Sequence, residues 1–383
     1  VLTDGIEPIL NSYQRKDFKF YSVLDIAQAM KNEEMINLLL EFHALPSLHS
    51  SVMNQNYRAI SYFLFSPNKA NLNQVAQYRN CTALHIAAAY DYYEICHSLL
   101  MCGASAELLD VDGYSALDIA LIHNAANSAQ LILPQCSPER VSAAYCMALD
   151  LKITWIFNTF VNFKPDYIDK NGDSLLIRFI KRLTPETYTE NTKKIVMSLR
   201  NIPVQYVANS RDQYGATAFH YAAASEIPDI YTYYLGLIKD NDSPLDMNRF
   251  TTLAYCVLSS NKKTFQLINK RFNNNPDVFN MTPALYGLIN GMSNQFQGLV
   301  NPNSLTVGYN INIKGLYDFI NKPRSDSERT IFNYKTNETT TVQCPIINIY
   351  DEAFRDMFNV KKSKRMNQFL EKMKIVSLDF FDT

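Results

Sequence analysis

Two stretches of this 383-residue chain repeat one grammar at a fixed distance, and that distance constrains the fold more than any composition figure. Thr82-Ala83-Leu84-His85-Ile86-Ala87-Ala88 recurs as Ser115-Ala116-Leu117-Asp118-Ile119-Ala120, with His85 and Asp118 in the same slot 33 residues apart. Thr82 or Ser115 caps a short helix through its hydroxyl, and the Leu two positions on points inward. The small pair Ala87-Ala88 lets two helices lie close, while Ile95, Leu99 and Leu100 give the following helix an apolar face. Gly103 stands where a left-handed C-cap is wanted, and Asp112-Gly113 is a dipeptide that closes a hairpin. A unit this small cannot bury its own apolar face. Several must stack.

The grammar extends in both directions. Upstream it reads Ser22 to Ala27 followed by a helix over Glu34 to Leu40, then Ser47-Leu48-His49 followed by a helix over Tyr57 to Phe65. Downstream, Ser142 to Tyr145 starts a weaker unit whose second helix is expected at Ile153 to Phe160. Clean signals return at Asp169 to Ile177, Asp212 to Ala223, Asp246 to Ala254 and Asp277 to Leu285, and a Thr-, Glu- and Pro-rich insertion is expected between Arg182 and Thr192. Glycine is scarce, at 11 residues, so Asn must take several left-handed turn positions.

These motifs resemble the ankyrin-repeat family. The resemblance implies an all-α-dominated solenoid of helix-turn-helix units with hairpin fingers, about nine in number and several degenerate. Residues 1–21 are expected to cap the N-terminus, 22–300 to form the array, and 301–383 to make a small α/β or helical capping or accessory segment. Within the last, Tyr309 to Ile313 and Thr330 to Tyr334 alternate like strands, Asn337-Glu338 is a turn before Thr339 to Cys344, and Asp351 to Met373 reads as a helix.

Charge and cysteine usage narrow the function. Thirty-six Lys and Arg against 37 Asp and Glu give a net charge of −1, which argues against a nucleic-acid binder that relies on overall positive charge. Lys361-Lys362-Ser363-Lys364-Arg365 reads as a solvated helix face. Seven cysteines, an odd number without a CxxC pair, read as reduced thiols of a cytosolic chain, with no metal or other cofactor. No apolar run reaches membrane-spanning length, and nucleotide-binding, kinase and hydrolase signatures are absent.

Histidines 49, 85 and 220 share the slot where the family ties adjacent turns by hydrogen bonds, so they read as structural. The resemblance places partner contacts on the hairpin tips and the concave surface of the first helices. Carried over, these are Tyr78, Arg79 and Tyr90; Val111, Asp112, Tyr114, Ile122 and His123; Lys170, Asn171, Asp173, Lys181 and Arg182; Gln213 and Tyr214; Arg249 and Phe250; and Phe279 and Met281. Aromatic and Arg side chains suit such a surface, and some of them also suit packing between fingers.

The implied function is a non-enzymatic scaffold that holds a protein partner. The decayed repeats and the tail Ser377 to Thr383 are similar to ankyrin effectors that intracellular bacteria pass through type IV secretion into the host cytosol, where the partner would be a host protein. The alternative is an enzyme with a Cys/His active site, its repeats serving as the substrate platform.

Overall fold

The computed structural model describes residues 23–24, 27, 31–41, 47–65, 72–76, 79–158, 163–164, 166–169, 171–200, 210–235, 244–268, 275–290, 313–322, 326–346 and 349. The expected N-terminal cap and the helix over Asp351 to Met373 lie outside these residues. The fold is a largely helical, ankyrin-like repeat arrangement with one small two-stranded element near the C-terminus. It divides into two compact units, one of Val1–Phe163 with Thr330–Val342, the other of Lys164–Arg329 with Gln343–Thr383.

In the first unit, α1 (Glu33–Glu41) is followed by the pairs α2 (Leu48–Met53) with α3 (Tyr57–Phe65), α4 (Ala83–Ala89) with α5 (Tyr93–Met101), and α6 (Ala116–Ile122) with α7 (Ala126–Ile132). Then comes α8 (Pro138–Asp150), and the first helices α2, α4, α6 and α8 pack in that order. The alanines allow the close approach: every residue of α4 is buried, and four of its seven are Ala. Beyond α8 the expected helix over Ile153 to Phe160 reduces to a single 3-10 turn, Trp155–Asn158, among the described residues. Lys152 turns left-handed at φ 57°, as Gln55, Asp91, Asn124 and Ser260 do at the same junction of other repeats, and Trp155 pins the turn by donating to Asn124 at 2.9 Å.

The second unit stacks α9 (Leu175–Arg182), α11 (Ala218–Ala224), α13 (Thr252–Leu258) and α15 (Pro283–Ile289), backed by α10 (Glu190–Arg200), α12 (Pro228–Leu235) and α14 (Lys262–Ile268). The insertion expected over Arg182 to Thr192 is ordered by reciprocal threonine caps, Thr184 with Thr187 and Thr189 with Thr192, and α10 begins inside it. Ile313, expected to end a strand, instead opens α16 (Ile313–Asn321), whose Leu316 and Ile320 are buried one turn apart. The expected strands do form around 330 and 340, as β1 (Glu328–Asn333) and β2 (Glu338–Gln343), joined by a turn in which Asn337 sits at φ 60°.

Histidines tie the stack together. His85 Nδ1 accepts the Thr82 backbone N–H at 3.1 Å and its Nε2–H donates to the Tyr114 carbonyl of the next finger at 3.1 Å, which sets the tautomer. His220 repeats the arrangement with Thr217 and the Phe250 carbonyl, and His49 reaches the Cys81 carbonyl at 3.2 Å. Burial lowers the pKa of His85 and that of His220, the latter to about 4, so both rings are neutral. Replacing His85 by Ala strands the Thr82 N–H and removes one of two donors from the Tyr114 carbonyl, which keeps the Asp110 N–H. With one buried group orphaned, His85→Ala is expected to lower urea-unfolding stability by about 1–3 kcal/mol, and a loss under about 0.5 kcal/mol would contradict the tie.

Candidate functional site

Five of the described fingers are each built on one aspartate. Asp110 Oδ1 accepts the backbone N–H groups of Asp112 and Tyr114, both at 2.9 Å, and Asp169, Asp212, Asp246 and Asp277 accept in the same way from the residues two and four positions on. One carboxylate oxygen thus fixes the turn, as an Asp side chain does when it stands in for a backbone carbonyl. The residue three positions on takes the left-handed conformation in all five fingers: Gly113, Gly172, Gly215, Arg249 and Asn280. Asn fills a glycine position as expected at 280, whereas Arg does so at 249. Neighbouring fingers then join edge to edge, Val111 N–H to Arg79 C=O at 2.8 Å, Met247 to Tyr214 at 3.0 Å and Val278 to Asn248 at 3.1 Å.

The second oxygen of each aspartate faces inward and needs a donor. Nine residues on, within the same repeat, Tyr221 donates to Asp212 at 2.5 Å, Tyr255 to Asp246 at 3.0 Å and Tyr286 to Asp277 at 2.5 Å. In the Asp169 finger Arg178 takes that place, 3.6 Å away. In the Asp110 finger the ninth residue is Ile119, which carries no donor. There the donor is Tyr334, 224 positions along the chain, whose phenol reaches Asp110 Oδ2 at 2.7 Å. Burial, with the Asp110 carboxylate beside it, pushes the Tyr334 pKa up and keeps the proton on the phenol.

Around this bond the first unit gathers three of the residues picked out from the sequence. The Arg79 guanidinium stacks 3.6 Å from the Phe332 ring centroid, 3.9 Å from Asp110 and paired with Asp112. Tyr114 Oη donates to the Thr330 carbonyl at 3.0 Å, and His123 Nε2 accepts the Tyr334 backbone N–H at 3.1 Å. Residues 330–334 therefore lie on Arg79, Tyr114 and His123. Tyr90 stacks on Tyr92 at 5.5 Å, Ile122 is half-buried, and Val111 and Asp112 are exposed at the finger tip. Tyr78 and Lys170 lie outside the described residues.

In the second unit Gln213 and Arg249 are exposed and Tyr214 is half-buried, while Phe250, Phe279 and Met281 are buried. Phe250 and Phe279 pack against Phe319 of α16, each at 5.6 Å between centroids. Lys181 and Arg182, expected on an open surface, are fully buried instead. Lys181 Nζ lies 2.6 Å from Asp326, 3.3 Å from Asp173 and 3.6 Å from Asp212. Arg182 donates to the carbonyls of Asp326 and of Pro345, the latter at 3.0 Å. The cations are retained in the interior because carboxylates and carbonyls of the C-terminal segment pair with them. Burial raises the Asp173 pKa, with Asp169 and Asp212 adding to the effect and Lys181 and Arg178 opposing it.

Sequence reasoning missed a further set. Leu109, Val111, Ile168, Leu245, Met247 and Val278 are exposed, and each stands next to a finger aspartate; only Val111 was picked out. Their signal was legible as apolar residues at fixed register inside turns.

Thiol chemistry finds no support. Burial foremost pushes the thiols of Cys81, Cys96 and Cys136 up to about 12 and that of Cys256 further, the opposite of what a thiolate nucleophile needs. Among the described residues no group of three or more His, Cys, Asp or Glu side chains could hold a metal ion, and no helix is long and apolar enough to cross a membrane.

Comparison with known proteins agrees with this geometry where it is most regular. Residues 48–142 match the family model described as ankyrin repeats (3 copies), so the chain carries an ankyrin-repeat domain over that span. A search of curated proteins finds no match. Among solved structures, the chain is similar to the ankyrin repeat domain of Bcl-3, a member of the IkappaB family, at 20% identity and TM-score 0.39, covering 54% of this chain and 91% of that one. It is similar to the human ASB11 ankyrin repeat domain at 16% and 0.37, covering 59% and 97%. It is also similar to a chain of the Bdellovibrio bacteriovorus predatory endopeptidase Bd0816 in complex with immunity protein Bd3460, at 19% and 0.32, covering 59% and 97%.

His123 reports on the contact with residues 330–334. Burial, and then the nearby Lys335 charge, lower its pKa from the ordinary 6.5 to about 4. Because the folded value is depressed, the neutral ring's contribution is complete above the unfolded value of 6.5 and is lost as pH falls from there toward 4. In an NMR titration the His123 imidazole is expected to shift near pH 4 in the wild type and to move back toward 6.5 in Tyr334→Ala. An unchanged titration in that variant would contradict the contact.

Proposed function

We propose that this chain is a non-enzymatic protein-interaction scaffold that engages its partner through the finger tips. The observation that carries this reading is the exposed apolar residue beside the finger aspartates: Leu109 and Val111 in the first unit, and Ile168, Leu245, Met247 and Val278 in the second. Exposing an apolar side chain at a rigid, hydrogen-bonded turn does nothing for the stack, whereas it supplies desolvation energy at an interface. Beside them Asp112, Gln213 and Arg249 provide polar contacts. In its finer form the partner is a host protein and the scaffold a bacterial effector in the host cytosol, a reading supported by the decayed repeats and the tail Ser377 to Thr383.

The test is affinity capture with mass spectrometry, comparing the wild type with a combined Val111→Ser, Ile168→Ser, Met247→Ser and Val278→Ser variant. All four side chains are exposed, so each change should alter stability by no more than about 0.5 kcal/mol, checked by circular dichroism and melting. Specific partners are expected to be lost from the variant. A folded variant that captures the same partners would rule out the finger tips.

A further inference from the structure

Asp110 stands in a repeat that cannot satisfy it. Its counterparts in the second unit draw a phenol or guanidinium from nine residues on, whereas Ile119 offers only hydrocarbon, so Asp110 Oδ2, with the Arg79 guanidinium 3.9 Å away, takes its hydrogen bond from a hydroxyl brought from outside the repeat. What supplies it is a short segment with defined chemistry. Phe332 lies on β1 against Arg79, Tyr334 enters the turn and donates to Asp110, His123 accepts a backbone N–H, and Tyr114 donates to a backbone carbonyl. Two side chains two positions apart share one face of an extended chain, and the two backbone bonds fix its direction.

We propose that Arg79, Asp110, Tyr114 and His123 form a peptide-recognition site for a hairpin segment of the pattern aromatic-x-Tyr, which Phe332-Asn333-Tyr334 occupies in cis, so that a partner carrying such a segment binds by displacing residues 330–342. This deepens the scaffold reading by naming a partner class, and it rests on that reading. The occupant is built to leave. A two-stranded hairpin is at best marginally stable alone, so its order depends on the surface beneath it. Residues Glu338 to Thr341 of β2 face solvent, and the first helices α2, α4, α6 and α8 pack on one another. The partner is a protein segment because the site's donors and acceptors read backbone groups as well as a ring and a phenol.

The probe is a fluorescent synthetic peptide of residues 328–343, titrated against the full chain. Phe332→Ala with Tyr334→Ala empties the site and is expected to bind the peptide at least tenfold more tightly than the wild type does. Adding Ile119→Tyr supplies the repeat's own phenol, fills the vacancy, and is expected to remove that gain. A peptide with both aromatics replaced by Ala should not bind. Should the double variant fail to fold, excess peptide on the wild-type chain is expected to raise amide exchange of 330–342 while α4 and α6 stay protected. Equal binding to wild type and the folded double variant, binding unaffected by Ile119→Tyr or by loss of the aromatics, or unchanged exchange would each overturn the proposal. Its failure leaves partner capture by the exposed finger tips intact, whereas loss of that capture leaves peptide binding unaffected, so the two readings fail separately.

Discussion

The pairing of a buried donor with the inner oxygen of each finger aspartate, a phenol hydrogen bond in four fingers and the Arg178 ion pair in the fifth, is the interaction on which the rest depends. The outer oxygen spends itself on two backbone N–H groups and fixes the turn. The inner one faces the helices and would be an uncompensated buried charge without a partner. Burial raises the pKa of Asp246 to about 6 and raises that of Asp277, which shows how much solvation these groups give up, while the phenols of Tyr255 and Tyr286 oppose the shift. Turn, helix and next finger are thereby one electrostatic unit.

That requirement links the repeats to the C-terminal segment. In the first unit Tyr334 supplies the phenol that Ile119 cannot; in the second, Asp326 meets Lys181, and its carbonyl with that of Pro345 meets Arg182. The segment read from the sequence as a cap or accessory piece thus lies on finger and first-helix residues in each unit. Part of the surface expected to hold a partner is already occupied, while the apolar positions beside the aspartates are exposed.

Much of the array was legible because its signals are local. The Thr82-x-x-His85 and Ser115-x-x-Asp118 boxes, the Leu-rich second helices and the two strands around 330 and 340 all appear where spacing places them. The exposed positions of the fingers, where the proposed interaction surface lies, were harder to read, for a geometric reason. Residues four positions after the finger aspartate turn inward as their N–H groups bond it, so Phe250 and Met281 are buried, whereas those one position after point out, as Met247 and Val278 do. Choosing the conspicuous aromatic over its register position selects core. The bond between Asp110 and Tyr334 leaves no periodic trace at all, yet its vacancy was written in the chain: an Asp followed nine residues on by Tyr or Arg in four fingers, and by Ile119 in the fifth.

The most direct test of this account is a matched series of Tyr→Phe changes at 221, 255, 286 and 334, read by denaturant unfolding. Removing each hydroxyl deletes one hydrogen bond to a buried carboxylate, worth about 1.5–3 kcal/mol. The account predicts that Tyr334→Phe costs as much as its three in-repeat counterparts. A neutral Tyr334→Phe beside three costly ones would contradict it, since residue 334 would then be resting on the fingers and not completing them.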